Sequence, residues 1–431
     1  MAELLKVCIV GAGSSYTPEL IAGMLAHSVE ELPIGAVSMH DVDSGRLAVM
    51  AALAGRMVAA RGRAIRIESG GQLEPLLEGA DFVITQIRVG GMEARYKDES
   101  IPLKHRVIGQ ETTGPGGMFK ALRTIPAMLD IARRVERIAP DAFILNYTNP
   151  SGIITEAVSR HTGAKIIGLC SGIPTMQVLL ASMLAKSFSQ LKSYTVGLNH
   201  LGFIYRFTSN GADVTDQAID RLLEIARASG NSFFLGDPKL IALIRAVPIM
   251  YVDHYYYHRR KTLGELQQSP QTRAQKIMDI EKEIFEQAAD PHLAAKPKAL
   301  QKRGGLGYSD ITFEFLKAIC HNRGQELVCT VLNHGAVDGI DAEAGVEVVC
   351  RVDRQGPKAL PVGPIPLAYR GLVQAVKTYE SLTVQAAVEG RRDLAVLALT
   401  NHPLVGDHAL AESLVNELSA AHAVQWGRSC G

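Results

Sequence analysis

Residues Lys6–Leu20 predict a strand, a glycine turn and the start of a helix, and this pattern restricts the fold more than any other stretch. The apolar run Cys8–Val10 is typical of a buried parallel strand. Gly11 and Gly13 permit a tight turn. The following helix would present unpaired backbone N–H groups to an anion such as a pyrophosphate. The stretch therefore predicts a dinucleotide site at the start of a parallel sheet.

The glycine fingerprint is incomplete, because Tyr16 stands where the third glycine of G-x-G-x-x-G would fall. Ser14, Ser15 or Thr17 could cap the helix that begins there. Without support from its surroundings, the same pattern would fit an ordinary tight turn between a strand and a helix.

That support comes from a second apolar strand, Ala36–Met39, which is followed by Asp41. A carboxylate at this position can accept hydrogen bonds from ribose hydroxyls and would repel a 2′-phosphate, which favours NAD over NADP. The spacing from Gly13 to Asp41 exceeds the usual ~20 residues, so the loop Glu30–Gly35 must absorb the difference. The alternative is a solvated aspartate without a ligand.

The chain of 431 residues is too long for one ordinary domain. Residues 1–170 alternate apolar strands with helical patterns, which predicts an α/β fold with a Rossmann-like parallel sheet that binds NAD. Residues 171–431 predict a second, mixed α/β domain for substrate, metal and oligomer contacts, with strands near Leu191–Leu198, Phe203–Thr208, Glu326–Val331 and Val346–Val352. Residues Gly356–Pro366 are expected to form a connection before the last helices.

The charge balance excludes an electrostatic case for nucleic acid or an anionic membrane, since 45 basic residues face 44 acidic ones. No apolar run is long enough to span a bilayer, and no signal peptide is evident, so a cytoplasmic protein is expected. The cysteines have no CxxC spacing, which predicts free thiols: Cys8, Cys170, Cys320, Cys329, Cys350 and Cys430.

Two glycine-rich stretches, Thr85–Arg95 and Ile108–Phe119, place Arg95 and Glu111 among flexible residues. Glycines there would let the backbone approach a ligand closely, although such stretches are often only turns. Arg88 lies in the first stretch, just beyond the predicted strand Phe82–Gln86, and is a candidate for contacting the cofactor.

Cys170 follows the predicted strand Lys165–Leu169, and His200 follows another strand. A thiolate and an imidazole form a soft donor pair for a divalent transition metal, with coordination positions left open for substrate. The alternative is a buried cysteine and a loop histidine with purely structural roles.

The segment Met250–Lys261 reads as a helix with Tyr251 and Tyr255 on one face. Such tyrosines usually belong to a core or an oligomer contact. One could act as a base only if a metal or cation lowered its pKa from about 10. Arg303, beside two glycines, could grip a phosphate or could be a surface arginine at a turn.

These segments, in this order, resemble the NAD- and manganese-dependent glycosidases of glycoside hydrolase family 4, nearest the 6-phospho-β-glucosidases. The resemblance extends over nearly the whole chain. It is carried by GAGSSYTPEL, TQIRVGGMEAR, KDESIPLKHRVIGQET, ALRTIP, NYTNPSGIITEA, IGLC, GLNHLGF, YVDHYYY, DPHLAAKPKALQKRGGLGYSD and TNHPLV.

The resemblance implies a redox route to glycoside cleavage, in place of the usual pair of carboxylates. Bound NAD⁺ would take a hydride from C3 of the sugar, while Mn²⁺ on Cys170 and His200 polarises the oxygens at C2 and C3. Tyr251, or else Tyr255, would remove the C2 proton. The bond to the aglycone would then break by elimination, water would add at C1, and the hydride would return.

By the same resemblance, the substrate contacts are Arg95, Asn149 and Glu111, with Arg303 for a 6-phosphate. The cofactor contacts are Gly11, Gly13, Ser14, Ser15, Asp41 and Arg88. One departure concerns Ser171, which follows the cysteine where phospho-β-glucosidases commonly carry an asparagine and α-acting relatives often carry an acid. A serine is a poor proton donor, which favours β-glycosides.

The expected partners are a small (phospho)glycoside and further copies of the chain, as a homodimer or homotetramer. Two alternatives remain open at this stage. One is an NAD-dependent 2-hydroxy-acid dehydrogenase, which would produce net NADH without a metal. The other is a non-catalytic NAD-binding sensor.

Overall fold

The computed structural model describes residues 4–186, 190–229, 236–304 and 307–427. Its strands, numbered along the chain, are β1 (Leu5–Val10), β2 (Ile34–His40), β3 (Arg66–Gly70), β4 (Phe82–Thr85), β5 (Phe143–Asn146), β6 (Lys165–Gly168), β7 (Leu191–Leu198), β8 (Leu201–Ser209), β9 (Ala212–Asp213), β10 (Val247–Pro248), β11 (Gln325–Leu332), β12 (Val337–Asp338), β13 (Gly345–Asp353), β14 (Gly356–Ala359) and β15 (Gly363–Pro364).

The helices are α1 (Thr17–Leu25), α2 (Ser44–Ala60), α3 (Glu74–Leu77), α4 (Gly91–Lys104), α5 (Gly114–Ile138), α6 (Ser151–His161), α7 (Gly172–Met183), α8 (Thr215–Ser229), α9 (Pro238–Ile244), α10 (Met250–Val252), α11 (Arg259–Gln268), α12 (Arg273–Ala289), α13 (Tyr308–Cys320), α14 (Leu367–Glu389), α15 (Arg392–Asn401) and α16 (His408–His422). A π-helix, Asp253–Tyr257, joins α10 to the segment before α11. A short 3₁₀ helix spans Lys298–Lys302.

One large sheet organises the chain, with nine described strands in the order β14-β13-β11-β6-β5-β4-β1-β2-β3. Strands β1 to β6 run parallel to their neighbours, which gives the 3-2-1-4-5-6 order of a doubly wound nucleotide-binding fold. Strand β4 is buried at all its positions, as expected for a sheet covered on both faces. The predicted Rossmann-like sheet is confirmed.

The later part of the chain extends this sheet with antiparallel strands. Strand β11 pairs with β6 at Thr330 and Gly168, and β13 and β14 follow outward. Gly168 is required there because a Cβ at this position would lie 2.8 Å from the Thr330 Cβ. One apolar core contains side chains from both halves, from Val7 to Leu418. The proposed division at residue 170 stays a prediction, and the two regions share a sheet.

A smaller sheet, in the order β10-β8-β7 with β9 on β8, belongs to the second region. The hairpin of β7 and β8 is antiparallel, and its tight connection contains Asn199 and His200. His200 has a φ of 65°, an uncommon conformation for a residue with a side chain. This connection therefore sets the backbone position from which the His200 side chain projects.

The strands predicted in the second region are found, each within two residues of its predicted ends. Two predictions were wrong in detail. Residues Gly356–Pro366 contain strands β14 and β15, because their backbone pairs with β13 and β12. The predicted loop Glu30–Gly35 ends earlier, since β2 begins at Ile34. Among the described residues, no helix combines the length and apolarity needed to cross a bilayer.

Candidate active site

The glycine turn after β1 is tight, as the sequence predicted. Gly11 has a φ of +88°, and a Cβ there would lie 2.9 Å from the backbone carbonyl carbon of Gln86. The backbone N–H of Gly13 donates to Oδ2 of Asp41 at 2.7 Å. The backbone N–H of Asp43 donates to the other oxygen of Asp41 at 2.9 Å. The carboxylate therefore lies against the turn, at the end of β2.

A buried ionic cluster lies beside the first turn of α1. The hydroxyl of Ser15 donates to Oε1 of Glu281 at 2.8 Å. Arg303 donates to the same oxygen at 2.9 Å, and Arg46 approaches Oε2 at 3.3 Å. The guanidinium of Arg303 also covers the ring of Tyr16, 4.0 Å from its centroid. Two cations thus share one carboxylate next to the predicted pyrophosphate site.

Arg303 is not the surface arginine of the alternative interpretation, since it is only 7% exposed. Its Nε has no hydrogen-bond partner among the described residues. An unpaired buried donor is costly unless a ligand or water completes its hydrogen bond.

Ser14 has a local role, because its hydroxyl accepts from the backbone N–H of Tyr16 at 3.2 Å.

Glu111 is the centre of a second cationic cluster. Its carboxylate contacts Arg88, Arg95 at 2.9 Å and Lys120 at 2.6 Å. Burial alone would raise the pKa of this carboxyl, but the three cations outweigh burial and hold the pKa well below its usual range. Arg95 also donates to Glu99 at 2.7 Å. The two predicted substrate residues, Arg95 and Glu111, are therefore direct partners.

Lys120 was not singled out by the sequence. Its ammonium group is almost fully buried, and burial together with repulsion from Arg88 lowers its pKa to about 7. Lys120 lies in α5, nine residues after Glu111, and this spacing does not belong to any motif that would have identified it.

The segment between α4 and α5 contributes Glu111 to the site and contacts His200. Its predicted loop, Ile108–Phe119, is shorter than expected because α5 already begins at Gly114. Glycines occur in this helix because a Cβ on Gly116 would lie 2.4 Å from the carbonyl oxygen of Asp98. Packing against α4 therefore overrides the low helix propensity of glycine.

Side chains of this segment hold the neighbouring elements in place. The Thr112 hydroxyl bonds Nδ1 of His200 at 2.8 Å. The Thr113 hydroxyl bonds the phenol of Tyr256 at 2.8 Å and Nε2 of His402 at 3.0 Å. Local sequence patterns did not identify these threonines, because their partners lie far away along the chain.

Cys170, His200 and Tyr251 lie together beyond the carboxyl ends of the parallel strands. The rings of His200 and Tyr251 have centroids 4.3 Å apart. Burial raises the pKa of Tyr251, and the nearby Cys170 raises it further. The Cys170 sulfur accepts from the backbone N–H of Gly172 at 3.5 Å. The proposed donors are thus adjacent to the same tyrosine.

These residues fit a soft divalent metal. Burial lowers the pKa of His200 to about 4, so the imidazole is neutral, and Thr112 engages Nδ1 while leaving Nε2 for a ligand. Burial raises the pKa of the Cys170 thiol to about 12, so a bound cation would have to favour the thiolate. Among the described residues, no group of three or more His, Cys, Asp or Glu could hold an ion. A metal here would keep several open positions.

The sequence predicted a continuous helix for the tyrosine segment, and this prediction was wrong in part. A π-helix, Asp253–Tyr257, interrupts it, and the backbone N–H of His258 bonds the carbonyl of Asp253 at 2.9 Å. Such segments are frequent at functional sites. The rings of Tyr251 and Tyr255 still stack, with centroids 6.0 Å apart, so the predicted shared face is present.

Asn149 lies just past β5, half-buried, and its amide is 3.4 Å from the carbonyl of Tyr147. Its position at the carboxyl edge of the sheet places it on the same side as Cys170, which follows the neighbouring strand β6. The structure thus gathers the predicted residues at one edge of the sheet, as expected for ligand sites in open parallel sheets.

Comparisons with protein families give a consistent result. The sequence model described as family 4 glycosyl hydrolase matches residues 6–186. The model of the family 4 glycosyl hydrolase C-terminal domain matches residues 195–405. Together the two matches extend over most of the chain and meet near residue 190.

Individual proteins agree. The chain is 38% identical to a probable 6-phospho-β-glucosidase of Bacillus subtilis (strain 168), over 98% of this chain and 97% of that protein. It is 36% identical to the 6-phospho-β-glucosidase of Escherichia coli (strain K12), over 98% and 96%. The solved 6-phospho-β-glucosidase of Thermotoga maritima with NAD and glucose-6-phosphate superposes with a TM-score of 0.90 at 31% identity, over 99% of this chain and 100% of that one.

Proposed function

The chain belongs to family 4 of the glycosyl hydrolases, and from this membership we propose that it hydrolyses 6-phospho-β-glucosides with NAD⁺ and Mn²⁺ as cofactors. One observation carries the proposal. The His200 ring contacts the Tyr251 ring, and Cys170 lies near enough to Tyr251 to raise the pKa of the phenol, at the carboxyl edge of a sheet whose first turn has nucleotide-binding geometry. Family membership does not favour the dehydrogenase or the sensor.

In this proposal Cys170 and His200 hold Mn²⁺, while Gly11, Gly13, Ser14, Ser15, Asp41 and Arg88 hold NAD⁺. When bound, these groups supply a hydride acceptor for the sugar and a Lewis acid for its oxygens. The residues of the chain provide binding, orientation and proton transfer around them.

Tyr251 removes the proton at C2 of the sugar. Its raised pKa makes the phenol a poor base by itself, and no cation of the described residues lowers that pKa. The phenol can therefore act only when a cation adjoins it, which couples proton removal to an occupied metal site. Tyr255 is the alternative base, one ring further along the stack.

Arg95, Glu111 and Asn149 orient the sugar hydroxyls. The ion pair between Arg95 and Glu111 is already formed, so its donors and acceptors are fixed before substrate arrives. Such preorganisation lowers the entropy lost on reaching a reactive geometry. Arg303 binds the 6-phosphate, for which its unpaired and buried Nε is the supporting observation.

Specificity for β-glycosides follows from Ser171, which succeeds Cys170 and cannot act as an acid toward the leaving group. Elimination after oxidation of the sugar needs less acid assistance, because the C2 proton has become acidic. The two glucosidases of Bacillus subtilis and Escherichia coli with which the chain aligns carry the same β designation.

The test is a panel of chromogenic α- and β-glycosides, with and without a 6-phosphate, assayed with NAD⁺, Mn²⁺ and reductant. We expect turnover of the phosphorylated β-glycosides without net formation of NADH. Net NADH at the rate of turnover would indicate a dehydrogenase. Equal rates for phosphorylated and plain glycosides would refute the phosphate requirement alone.

We also propose a homodimer or homotetramer in the cytoplasm. The tyrosines that first suggested an oligomer pack inside the chain, so they no longer support it. Exposed apolar side chains on α7 and α9, Val178 and Leu243, would be covered by such an assembly. The five described cysteines are free, which fits a reducing compartment, and Cys430 lies outside the described residues.

A further inference from the structure

Asn199 connects the proposed metal ligand Cys170 to a buried carboxylate. Its side chain lies close enough to Cys170 to lower the pKa of the thiol. Its Nδ2 donates to Oε1 of Glu347 at 3.0 Å. A carboxamide has two N–H donors, so one can face the sulfur while the other is held by the carboxylate. Asn199 also directly precedes His200, the second proposed ligand.

The surroundings of Asn199 keep its amide in one place. The side chain is 91% buried, and a Cβ on Gly152 would lie 3.3 Å from the Asn199 Cβ. The missing side chain at Gly152 therefore makes room for Asn199 beside α6. A rigid donor is better suited to orienting a ligand than a mobile one.

Glu347 has no evident reason to be buried for stability. It is 2% exposed on β13, and Asn199 is its hydrogen-bond partner among the described side chains. Another buried acid, Glu380, is close enough to raise the pKa of Glu347. Lys377 does not neutralise Glu347 directly, since its ammonium contacts Glu380 at 2.6 Å and Glu156 at 2.8 Å. Burial, with Glu380 nearby, raises the pKa of Glu347 to about 8, so the acid is mostly protonated at neutral pH. A buried polar group of this kind costs free energy unless it is well paired, which indicates a functional reason.

We propose that Glu347 holds Asn199 so that its N–H faces the Cys170 sulfur and positions the thiolate for the metal. Asn199 and Glu347 are thus positioning residues, and neither touches substrate. The inference rests on the proposed metal site at Cys170 and His200. Partners of this kind fix the direction and basicity of a metal ligand.

The test measures Mn²⁺ affinity, followed by the electron paramagnetic resonance of free Mn²⁺, with NAD⁺ affinity and thermal stability measured in parallel. Asn199→Ala and Glu347→Met should each weaken Mn²⁺ binding about 10- to 100-fold, with NAD⁺ binding unchanged. Glu347→Gln keeps an oxygen acceptor and should retain most of the affinity. Co²⁺ in place of Mn²⁺ should show a weaker thiolate charge-transfer band in the two damaging variants.

The control is Thr330→Val, because Thr330 lies opposite Glu347 in the β11–β13 ladder and is equally buried. Its hydroxyl has no partner among the described residues. This variant should bind Mn²⁺ normally. A structural role would instead lower stability together with affinity in Glu347→Met, whereas positioning predicts lost affinity with stability unchanged or raised.

The outcomes distinguish a wrong metal site from a wrong positioning role. If the wild-type protein shows no Mn²⁺ binding that depends on Cys170, the proposed metal site itself is wrong. If the wild type binds Mn²⁺ through Cys170 and Asn199→Ala or Glu347→Met binds it equally well, only the positioning role is overturned. The same holds if Glu347→Gln loses as much affinity as Glu347→Met.

Discussion

The imidazole of His200 packs against the phenol ring of Tyr251, with centroids 4.3 Å apart and planes inclined by 32°. Tyr255 lies one ring further away, 6.0 Å from Tyr251. The Tyr251 phenol is also close enough to Cys170 for the thiol to shift its pKa. Tyr251 is therefore in contact with His200 and close to Cys170.

Tyr251→Phe should lower kcat about 10²- to 10⁴-fold, the usual contribution of a general base. Tyr255→Phe should lower it much less, because Tyr255 lies one ring beyond Tyr251. The measurements are kcat and the exchange of the C2 proton with solvent deuterium. Mn²⁺ and NAD⁺ affinities serve as controls for an intact site. A larger loss in Tyr255→Phe would transfer the role to that residue.

Substrate deuterated at C2 provides an independent check of the same proton transfer. We expect a primary isotope effect on kcat/KM in the wild-type enzyme, because the bond to the C2 hydrogen is broken by Tyr251. The matched control is substrate deuterated at C6, which no proposed step touches. Identical rates for the C2-labelled and unlabelled sugars, in an assay where substrate binding is not limiting, would contradict proton removal at C2.

The hydrogen bond between Nδ1 of His200 and the Thr112 hydroxyl leads to a second prediction. Thr112→Val keeps the shape of the side chain but removes the hydroxyl, so the imidazole loses the partner that fixes its orientation. Mn²⁺ affinity should fall about 10-fold or more, as for other partners of metal-binding histidines. The measurement is a Mn²⁺ titration in the presence of NAD⁺.

Thr124→Val is the control for this change. Thr124 is also a fully buried threonine, and its hydroxyl has no partner among the described residues. Its replacement should leave Mn²⁺ affinity unchanged. An equal loss of affinity in both variants would show that the Thr112 effect is a general packing effect.

A third prediction concerns the charges around Glu111. Glu111→Gln would leave Arg88, Arg95 and Lys120 without their shared carboxylate in a largely buried site. Breaking one side of a buried ion pair typically costs about 3–5 kcal/mol of unfolding free energy. Urea denaturation at neutral pH measures this loss.

The paired variant is Glu111→Gln with Lys120→Met, which removes one cation along with the carboxylate. It should recover part of the stability, because fewer uncompensated charges remain buried. The contrary outcome is a double variant that loses more unfolding free energy than the losses of Glu111→Gln and Lys120→Met added together. In that case, repulsion among the cations is not what destabilises Glu111→Gln.

Local sequence patterns predicted the first part of the site well. The strand, the turn at Gly11 and the aspartate at the end of β2 follow one another within a short stretch, so their contacts depend on local geometry. The strands of the sheet were found for the same reason. Cys170 and His200 were proposed as a metal-binding pair because each follows a predicted strand, and the resemblance to a family supported that hypothesis.

Contacts between distant parts of the chain could not be predicted in this way. Ser15 bonds Glu281, 266 residues later, and Thr113 bonds His402, 289 residues later. Neither partner has a spacing or composition that marks it. The glycines of Ile108–Phe119 were misleading for another reason, since close packing of α5 on α4 requires them within a helix.

The last prediction uses the buried His402. Its Nδ1 accepts from the backbone N–H of Leu404 at 3.2 Å, so the proton is on Nε2, which donates to the hydroxyl of Thr113. Burial lowers its pKa from 6.5 to about 3. Between these two values the unfolded chain binds a proton that the folded chain does not, so stability decreases as pH falls below 6.5.

Unfolding free energies at a series of pH values between about 5 and about 8 should show this loss, with a slope from His402 of up to about 1.4 kcal/mol per pH unit below the unfolded pKa. His402→Gln cannot take up the proton in either state, so its slope should be smaller by that amount. His408→Gln, at an exposed position, is the control and should keep the wild-type slope. A His402→Gln protein with the full wild-type slope would mean that other groups produce the acid sensitivity.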